Sequence, residues 1–410
     1  MARERIIAGL DVGSSKVTCV IARKDDSDLP EIISIATAPC KGLRQGTVVN
    51  RRETESAITT AVDQAEEMAN EKIDNDEVVV SIKGQHVESL NHSSAIGVTR
   101  TDKEIIIDDV SQVMSSARAI RLGNDKEIIH IIPQEFIVDG QKGITDPVGL
   151  EGSHLEVNVH IVIGLTSSIN NLGKCVSNAG FVCKNFVSSI LASGEVIVSP
   201  EEKNIGCVLI DMGAQTTDIA IYLDGSSKCI KEIPLGGDSI TMDLARGLGT
   251  SFHVAQDLKE RYGSAISTLI DGKEEITYIS VDGRTQKKVT KRTICDIIRP
   301  RLEEILSFVN DAIDKTQYRD VISAGSIITG GGCQLLGMKE ASEEVLQMQA
   351  RIGIPQYVRG SANGIGNPSF ASAIGLVKYS YISDFEKSGR YTTKKPGVVT
   401  KIKKMFEDMI

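Results

Sequence analysis

Two acidic residues, Asp11 and Asp211, each follow an apolar run and each precede a short turn that contains glycine. The apolar runs are residues 6–10 and 207–210, and a second apolar stretch follows each turn. Because continuous apolar runs of this length are typical of buried central strands, each acid is predicted at the tip of a strand hairpin. A carboxylate beside a turn of backbone N–H groups could hold a metal-bound phosphate, although a single Asp-x-Gly turn is also a common hairpin.

A third stretch with possible ligand chemistry lies late in the chain, where an apolar run at 327–328 leads into Gly330, Gly331 and Gly332. Consecutive glycines let the backbone pass close to a ligand because no side chain stands in the way. Two acid-tipped hairpins followed by a strand and a glycine turn form a more specific pattern than any one of them. This order resembles the actin, Hsp70 and sugar-kinase superfamily, in which the hairpins hold nucleotide phosphates from opposite domains and the glycine turn packs against adenosine.

The composition limits the class of protein. A chain of 410 residues is expected to form two or more domains. The net charge of −9, from 46 basic and 55 acidic residues, gives no indication of nucleic-acid binding. Eight cysteines without a C-x-x-C motif are expected to be buried and reduced. The sequence shows no signal peptide and no apolar run near the ~18 residues that span a bilayer, so we expect a cytosolic protein unless a peripheral segment attaches it to a membrane.

The positions of predicted strands and helices indicate an α/β fold with a small α+β insert. The resemblance implies two domains of the actin and Hsp70 type, in which this insert replaces one actin subdomain. The predicted divisions are 1–83, 164–198 and 361–384 for the core of domain 1, 84–163 for the insert, 199–235 and 301–360 for the core of domain 2, and 236–300 for its outer subdomain. The insert contains no catalytic cluster, so it is either a structural subdomain or an interaction surface.

Two features of the outer subdomain leave alternatives open. Residues 284–292 contain five cations and no acid, which is typical of a solvated face but could also dock an acidic peptide. These cations are Arg284, Lys287, Lys288, Lys291 and Arg292. A long amphipathic helix is predicted over 293–312, and Pro300 near its middle predicts a kink or a break.

The C-terminal segment combines a polar linker, predicted at 385–397, with an amphipathic helix, predicted at 398–410. At ~100° per residue, seven apolar residues of this helix fall within one arc. They are Val398, Val399, Ile402, Met405, Phe406, Met409 and Ile410, and the basic residues on the other face are Lys401, Lys403 and Lys404. A helix docked on its own domain is one interpretation. The terminal position behind a linker favours a helix that lies in a membrane interface, where polymerisation would add avidity to a weak single anchor.

Taken together, these segments resemble the FtsA family of actin-like bacterial division proteins over essentially the whole chain. The resemblance rests on residues 9–14, on two stretches of the insert at 130–135 and 147–152, on residues 207–220, 328–332 and 351–353, and on the linker with its amphipathic tail. The insert and the tail are more specific than the nucleotide motifs, which sugar kinases share.

The resemblance implies ATP and Mg²⁺ in a cleft between the two domains, with Asp11 and Asp211 holding the metal through water. It implies phosphate contacts from the first hairpin (Gly13, Ser14, Ser15 and Lys16) and from the second (Gly213, Ala214, Gln215 and Thr216). It implies that Gly236, Gly237, Lys259, Gly330, Gly331 and Gly332 surround the ribose and adenine. The implied partners are the C-terminal peptide of FtsZ at about 236–300, further copies of the chain in filaments, later division proteins on the insert, and lipid at the inner membrane of the division site.

Three departures from the superfamily pattern bear on turnover. Ala214 and Gln215 replace glycines of the second turn, Gln256 replaces a glutamate that faces the ribose, and Asn185 stands where ATPases often carry the residue that orients water. We therefore predict tight nucleotide binding with slow or negligible hydrolysis, below the ~1 per second of ordinary enzymes. A small-molecule kinase is the alternative, but we identify no general base facing a substrate pocket. A pilus or secretion assembly protein is a third possibility, which would share the nucleotide motifs.

Overall fold

The computed structural model of the chain describes residues 5–24 and 29–388. The first segment of domain 1 consists of β1 (Arg5–Val12), β2 (Lys16–Lys24), β3 (Glu31–Pro39), β4 (Leu43–Arg44), β5 (Thr47–Val48), α1 (Arg51–Ala69) and β6 (Glu77–Ile82). Strands β1 and β6 are buried along almost their whole length, which accounts for their continuous apolar sequences. Helix α1 begins after Asn50, whose side chain accepts a hydrogen bond from the N–H of Glu53.

The insert follows β6 as a small α+β unit. Its elements are β7 (Glu88–Gly97), α2 (Ile107–Arg118), β8 (Lys126–Val138), β9 (Gln141–Ile144) and β10 (His154–Leu165). The four strands form one sheet in the order β7-β10-β8-β9. Helix α2 buries Val110, Val113 and Met114 in a core that also contains Phe136 and Val157. The α+β insert that the sequence predicts is therefore present, with a hydrophobic core of its own.

The chain then returns to domain 1 and continues into domain 2. The returning elements are α3 (Thr166–Asn178), β11 (Val182–Ser188), α4 (Ser189–Ile197) and α5 (Pro200–Ile205). Domain 2 contains β12 (Cys207–Met212), β13 (Thr217–Leu223), β14 (Ser226–Ile233), α6 (Gly237–Leu248), α7 (Phe252–Tyr262), β15 (Glu275–Ile279), β16 (Gln286–Thr290), α8 (Lys291–Asp314), β17 (Ser326–Thr329), α9 (Met338–Leu346) and β18 (Ala350–Ile352). Strand β19 (Arg359–Gly360) and helix α10 (Ala371–Ser388) belong to domain 1 again.

The two domains are built on the same sheet topology. The sheet of domain 1 has the order β11-β6-β1-β2-β3-β19, and that of domain 2 has the order β14-β13-β12-β17-β18. In domain 1, β1, β2 and β3 pair antiparallel in succession, and β6 then pairs parallel with β1. In domain 2, β12, β13 and β14 do the same, and β17 pairs parallel with β12. A shared hydrophobic cluster that includes Ile7, Ile190, Leu209, Ile327 and Ile374 joins the two domains. The repeated topology places the acid-tipped turns of β1 and β12 at equivalent positions.

The insert also contacts domain 2, along its edge strand β14. Ser89 Oγ donates a hydrogen bond to the carbonyl of Ile230 over 3.1 Å, and Gln134 Nε2 donates to the carbonyl of Ser227 over 2.8 Å. The sheet edge is therefore covered by another subdomain, which removes an exposed pairing site.

Helix α8 differs from its prediction at Pro300. The helix runs without interruption from Lys291 to Asp314, so the predicted break at Pro300 is absent and the predicted boundary at residue 300 falls inside a helix. Eight buried side chains along α8, among them Ile298 and Leu302, pack into the core of domain 2. Burying such a face stabilises the helix by several kilocalories per mole, which offsets the ~3 kcal/mol that an internal proline costs.

The C-terminal predictions are only partly within the described residues. Helix α10 continues to Ser388, so the first four residues of the predicted linker 385–397 are helical. Phe385, Glu386 and Lys387 all tolerate helix, and the first glycine of that stretch is Gly389. The predicted amphipathic helix at 398–410 lies outside the described residues. Among those residues, every helix is too short or too polar to cross a bilayer.

The eight cysteines behave as the sequence predicts for small apolar residues. All eight are free thiols, and six of them are buried. Burial raises the pKa of the Cys207 thiol to about 12, so this sulfur stays protonated at neutral pH.

His160, in the insert, is expected to make unfolding pH-dependent. Burial, with a smaller effect of Lys228, lowers its pKa from 6.5 to about 4, and its Nδ1 lies 2.7 Å from Asn91 Oδ1. The unfolded state therefore binds more protons between these values, and stability is lost as the pH falls through this range. We expect the unfolding free energy to drop by about 2 kcal/mol from this residue alone between pH 7 and pH 5.

Chemical denaturation of His160→Gln at the two pH values tests this expectation. Between pH 7 and pH 5, the unfolding free energy of the variant should fall by about 2 kcal/mol less than that of the parent. The control is His253→Gln, at an exposed position of helix α7. This variant should show the same pH dependence of unfolding as the parent. An equal pH dependence in His160→Gln and the parent would contradict the assignment.

Candidate functional site

The acid-tipped turns of the two domains face a common cavity of about 680 Å³. Each turn is closed by the same hydrogen bond, from Gly13 N to Lys16 O over 3.0 Å and from Gly213 N to Thr216 O over 2.9 Å. The cavity has the size of a small-molecule site. Turns of this kind present backbone N–H groups that suit an anionic ligand.

Asp11 is held at the tip of β1 by two donors from the end of β6. The parallel pairing of β1 with β6 matches Leu10 with Val80, which places Asp11 beside Ser81. Asp11 Oδ1 accepts from Ser81 Oγ over 2.6 Å and from Lys83 Nζ over 2.8 Å. Burial raises the pKa of Asp11, but the charge and hydrogen bond of Lys83 outweigh it, so the pKa lies below its usual value. Asp11 is therefore ionised at neutral pH.

Asp211 is held in a different way, by hydroxyl groups. Its Oδ2 accepts from Ser193 Oγ in α4 over 3.1 Å and from Ser372 Oγ in α10 over 3.2 Å. Burial raises the pKa of Asp211, and the charge of Asp11 raises it further, against the opposing effect of Lys83. Among the described residues, Asp211 has no ion-pair partner, and a cationic ligand in the cavity would stabilise its ionised form.

Next to Asp211 lies a pair of acids, Asp218, which is buried, and Glu232, which is partly buried. They occupy matched positions on β13 and β14. Burial and the charge of Glu232 raise the pKa of Asp218 well above its usual value. Glu232 Oε2 accepts a hydrogen bond from Gly84 N over 2.6 Å, which links domain 2 to the first residue of the insert. A contact between the insert and domain 2 therefore lies next to the strand pair that carries Asp218.

The second turn is braced by the start of helix α6. Gly237 N donates to Gly213 O over 3.0 Å, and Asp238 N donates to Ala214 O over 2.7 Å. The side chain of Gln215 forms hydrogen bonds with both domains. Its Oε1 accepts from Gln45 N of domain 1 over 2.9 Å, and its Nε2 donates to Asp238 over 3.3 Å. The glutamine that departs from the superfamily pattern thus bridges the cleft.

Lys259 and Lys16 both line the cavity, yet each already has partners. Lys259 Nζ donates to Gly237 O over 3.0 Å and to Thr241 Oγ1 over 2.8 Å, so it fixes the start of α6. Lys16 Nζ donates to Ser369 Oγ over 3.3 Å and lies 4.4 Å from the centre of the Phe370 ring. Burial lowers the pKa of both lysines.

The glycine turn after β17 approaches the second hairpin closely. Gly330 has φ +83°, and a Cβ atom at this position would lie 2.3 Å from Asp211 Oδ1. No other residue type would fit here without moving the acid.

The cavity brings together most of the predicted cofactor residues. Those that line it are Asp11, Gly13, Ser14, Ser15, Lys16, Asp211, Gly213, Ala214, Gln215, Thr216, Gly237, Lys259, Gly330, Gly331 and Gly332. Two predicted residues do not line it. Gly236 lies behind the second turn, and Asn185 lies in β11, so neither belongs to the wall of the cavity.

Several residues of the site are not among those assigned from the sequence. They are Ser81, Lys83, Ser193, Asp218, Ser369 and Ser372. Only Asp218 had a usable clue, since it follows the second turn within the same hairpin and faces Asp211 across the pairing of β12 with β13.

The donor set fits a hydrated Mg²⁺ ion. Asp11 and Asp211, from opposite domains, line one cavity, and within the part of the chain that the structure describes Asp211 has no ion-pair partner. Mg²⁺ keeps several waters and binds through one or two carboxylates together with phosphate oxygens, which is what this cavity offers.

The fold and the site together define the class of protein. Two domains of equal topology face each other across a cavity lined by acid-tipped hairpins, as in actin-like ATPase folds. The chain aligns with the solved PilM-PilN type IV pilus biogenesis complex at a TM-score of 0.63 and 16% identity, over 92% of this chain and 98% of that one. It aligns with MreB5 of Spiroplasma citri bound to ADP at 0.57 and 12% identity, over 94% and 99%. The predicted fold class is confirmed.

Sequence relatives identify the family. The family model "SHS2 domain inserted in FTSA" matches residues 84–163, and the model "Cell division protein FtsA" matches residues 208–375. Cell division protein FtsA of Borreliella burgdorferi is 34% identical over 406 residues, covering 98% of each chain. That of Neisseria meningitidis is 34% identical over 376 residues, covering 92% of this chain and 90% of the relative. The chain belongs to the FtsA family of cell-division proteins.

Substituting Gly236 is expected to weaken nucleotide binding although this residue does not line the cavity. An added Cβ would lie 2.6 Å from Gly213 O and 2.7 Å from Ala214 O, so Gly236→Ala should displace the second turn. We expect affinity for an ATP analogue to fall about tenfold, a cost near 1.4 kcal/mol. Gly366→Ala is the matched control because nothing lies within 4 Å of its added Cβ. Equal affinities of the two variants would count against the role of the turn.

Proposed function

We propose that this chain binds ATP with Mg²⁺ in the cleft, assembles into actin-like filaments, and attaches the FtsZ ring to the cytoplasmic face of the inner membrane at the division site. The observation that carries the nucleotide part is the pair of equivalent turns, closed by the same hydrogen bond, on opposite walls of one cavity. Membership of the FtsA family supports the role in division. Recruitment of later division proteins is assigned to the insert.

Each wall of the cavity has a role in this proposal. Asp11 and Asp211 hold the hydrated metal, and the backbone N–H groups of the two turns bind phosphate oxygens. Lys16 adds positive charge, while Gly237 and the glycines at 330–332 allow close approach of ribose and base. The metal supplies charge neutralisation between the phosphates and the two acids. Titration of the purified chain with fluorescent ATP in the presence of Mg²⁺ tests this part, and absence of binding would refute it.

The outer subdomain of domain 2 is assigned to the FtsZ C-terminal peptide. Of the five cations at 284–292, three are paired with acids: Lys288 with Glu275, Lys291 with Glu274 and Arg292 with Asp296. Within the described part of the chain, Arg284 and Lys287 have no ion-pair partner, so these two are the cations open to an acidic peptide.

Charge-reversal variants distinguish a peptide-binding surface from a basic run that is only solvated. We expect Arg284→Glu with Lys287→Glu to lower the affinity for an FtsZ C-terminal peptide about tenfold, measured by fluorescence anisotropy at low salt. Lys142→Glu with Lys174→Glu, at exposed positions of the insert and of helix α3, makes the same change in net charge and is the control. If the double variant binds the peptide as the control does, the basic run is only a solvated surface. If the parent chain does not bind the peptide, the pilus or secretion alternative gains support.

A further inference from the structure

Lys83 lies in the cavity at the junction between domain 1 and the insert. It follows the last residue of β6, and its side chain is 18% exposed. Its Nζ lies 2.8 Å from Asp11 Oδ1 and would be 3.8 Å from a Cβ placed on Gly13, so it faces the first turn. Neither the predicted phosphate contacts nor the metal-holding role of the acids involves this lysine.

The hydrogen bonds of Lys83 are incomplete. An ammonium group has three N–H donors, and only one acceptor, Asp11 Oδ1, is within reach among the described residues. The Nζ of Lys83 forms an ion pair with Asp11 Oδ1 at 2.8 Å. A charged donor with unused N–H groups at the wall of a cavity favours an anionic ligand.

The backbone around Lys83 holds this ammonium in place. Gly84 N donates to Glu232 Oε2 over 2.6 Å, which anchors the neighbouring peptide to domain 2. Gly46 packs so closely that its Cβ would lie 2.5 Å from the carbonyl of Lys83. The backbone at Lys83 is therefore anchored from both domains, and the contact with Asp11 Oδ1 positions its Nζ.

The contacts of Lys83 and Lys16 indicate which part of the cavity each lysine serves. Lys83 Nζ lies 2.8 Å from Asp11 Oδ1, an acid assigned to the metal. Lys16 Nζ instead donates to Ser369 Oγ and lies 4.4 Å from the centre of the Phe370 ring. Lys83 is therefore the lysine of the two that lies in hydrogen-bond contact with a metal-holding acid.

We propose that Lys83 binds the terminal phosphate of a nucleoside triphosphate, so that this cleft distinguishes triphosphate from diphosphate by a direct charged contact. This inference rests on the proposed nucleotide binding. Gly84, which follows Lys83, begins the insert and donates a hydrogen bond to Glu232. The proposed contact between Lys83 and phosphate therefore also links the presence of the terminal phosphate to the position of the insert. The competing explanation is that Lys83 only neutralises Asp11.

The ratio of ATP affinity to ADP affinity distinguishes the two explanations. In the full-length chain, Lys83→Met should weaken binding of a fluorescent ATP analogue about thirtyfold and binding of the ADP analogue less than threefold. Lys83→Arg should keep most of the parent chain's ratio of ATP affinity to ADP affinity. Lys142→Met is the control for loss of an exposed lysine and should change neither affinity.

A purely neutralising role would weaken both nucleotides equally, because the metal-holding acid serves both, and that result would overturn the inference. Unchanged affinities would overturn it as well. Thermal unfolding of each variant confirms that it is folded, and Lys83→Gln, which keeps a donor but loses the charge, replaces Lys83→Met if the latter unfolds. Failure of the parent chain to bind either nucleotide would instead refute the proposed function.

Discussion

The full-length chain with Phe406→Glu is expected to lose binding to anionic vesicles almost completely. In the predicted amphipathic helix at 398–410, Phe406 stands in the middle of the apolar face. Burying a phenylalanine in an apolar environment contributes ~2 kcal/mol, and each lysine near an anionic leaflet contributes ~1 kcal/mol. Replacing the ring by a carboxylate removes the first contribution and adds an anion at the lipid boundary. Binding should therefore fall at least tenfold in co-sedimentation.

The control for this variant is Thr400→Glu, which adds the same charge on the polar face of the predicted helix. It should weaken vesicle binding much less than Phe406→Glu. A chain ending at Lys394 should not sediment with vesicles at all. If Phe406→Glu sediments as the parent does, the segment at 398–410 is not the membrane anchor.

The second large effect is expected for Asp211→Asn, which should lower the affinity for ATP with Mg²⁺ about a hundredfold. Of the two acids assigned to the metal, Asp11 is paired with Lys83, whereas Asp211 has no ion-pair partner among the described residues, so Asp211 gains more from the metal. The amide keeps the shape and can still accept from Ser193 and Ser372, but it cannot hold the metal-bound water as an anion does. Isothermal titration with and without Mg²⁺ measures the change.

The same substitution should leave the unliganded protein at least as stable as the parent. Burial raises the pKa of Asp211, which means that the folded state disfavours the ionised form and that removing the charge relieves a cost at neutral pH. Loss of binding without loss of thermal stability is therefore the expected combination. Asp224→Asn, at the far end of the β13–β14 hairpin, is the matched control. An unaltered affinity for ATP in Asp211→Asn would remove this acid from the site.

Local sequence patterns predict the strand hairpins and their acids because everything that defines them lies within about ten residues. Asp11 and Asp211 each follow a buried strand and precede a turn whose glycine closes it. The amphipathic helices and the insert are predictable for the same reason, since their periodicity is local.

The partners of these acids are not predictable in this way. Ser81 is brought to Asp11 by the register of a parallel pairing, and Ser372 reaches Asp211 from a helix 161 residues further along the chain. Lys83 stands in a stretch without any motif, and only the fold shows that it enters the cavity. Pro300 shows the converse case, in which tertiary packing maintains a helix that local rules predict to kink or break.

The most direct test of the proposed function combines the chain with FtsZ filaments, anionic vesicles, ATP and Mg²⁺, and measures how much FtsZ sediments with the vesicles. We predict that FtsZ is carried down by the full-length chain and stays in solution with a chain ending at Lys394 or with Phe406→Glu. FtsZ that stays in solution although the full-length chain binds the vesicles would contradict the tethering role, and so would equal sedimentation with the shortened chain.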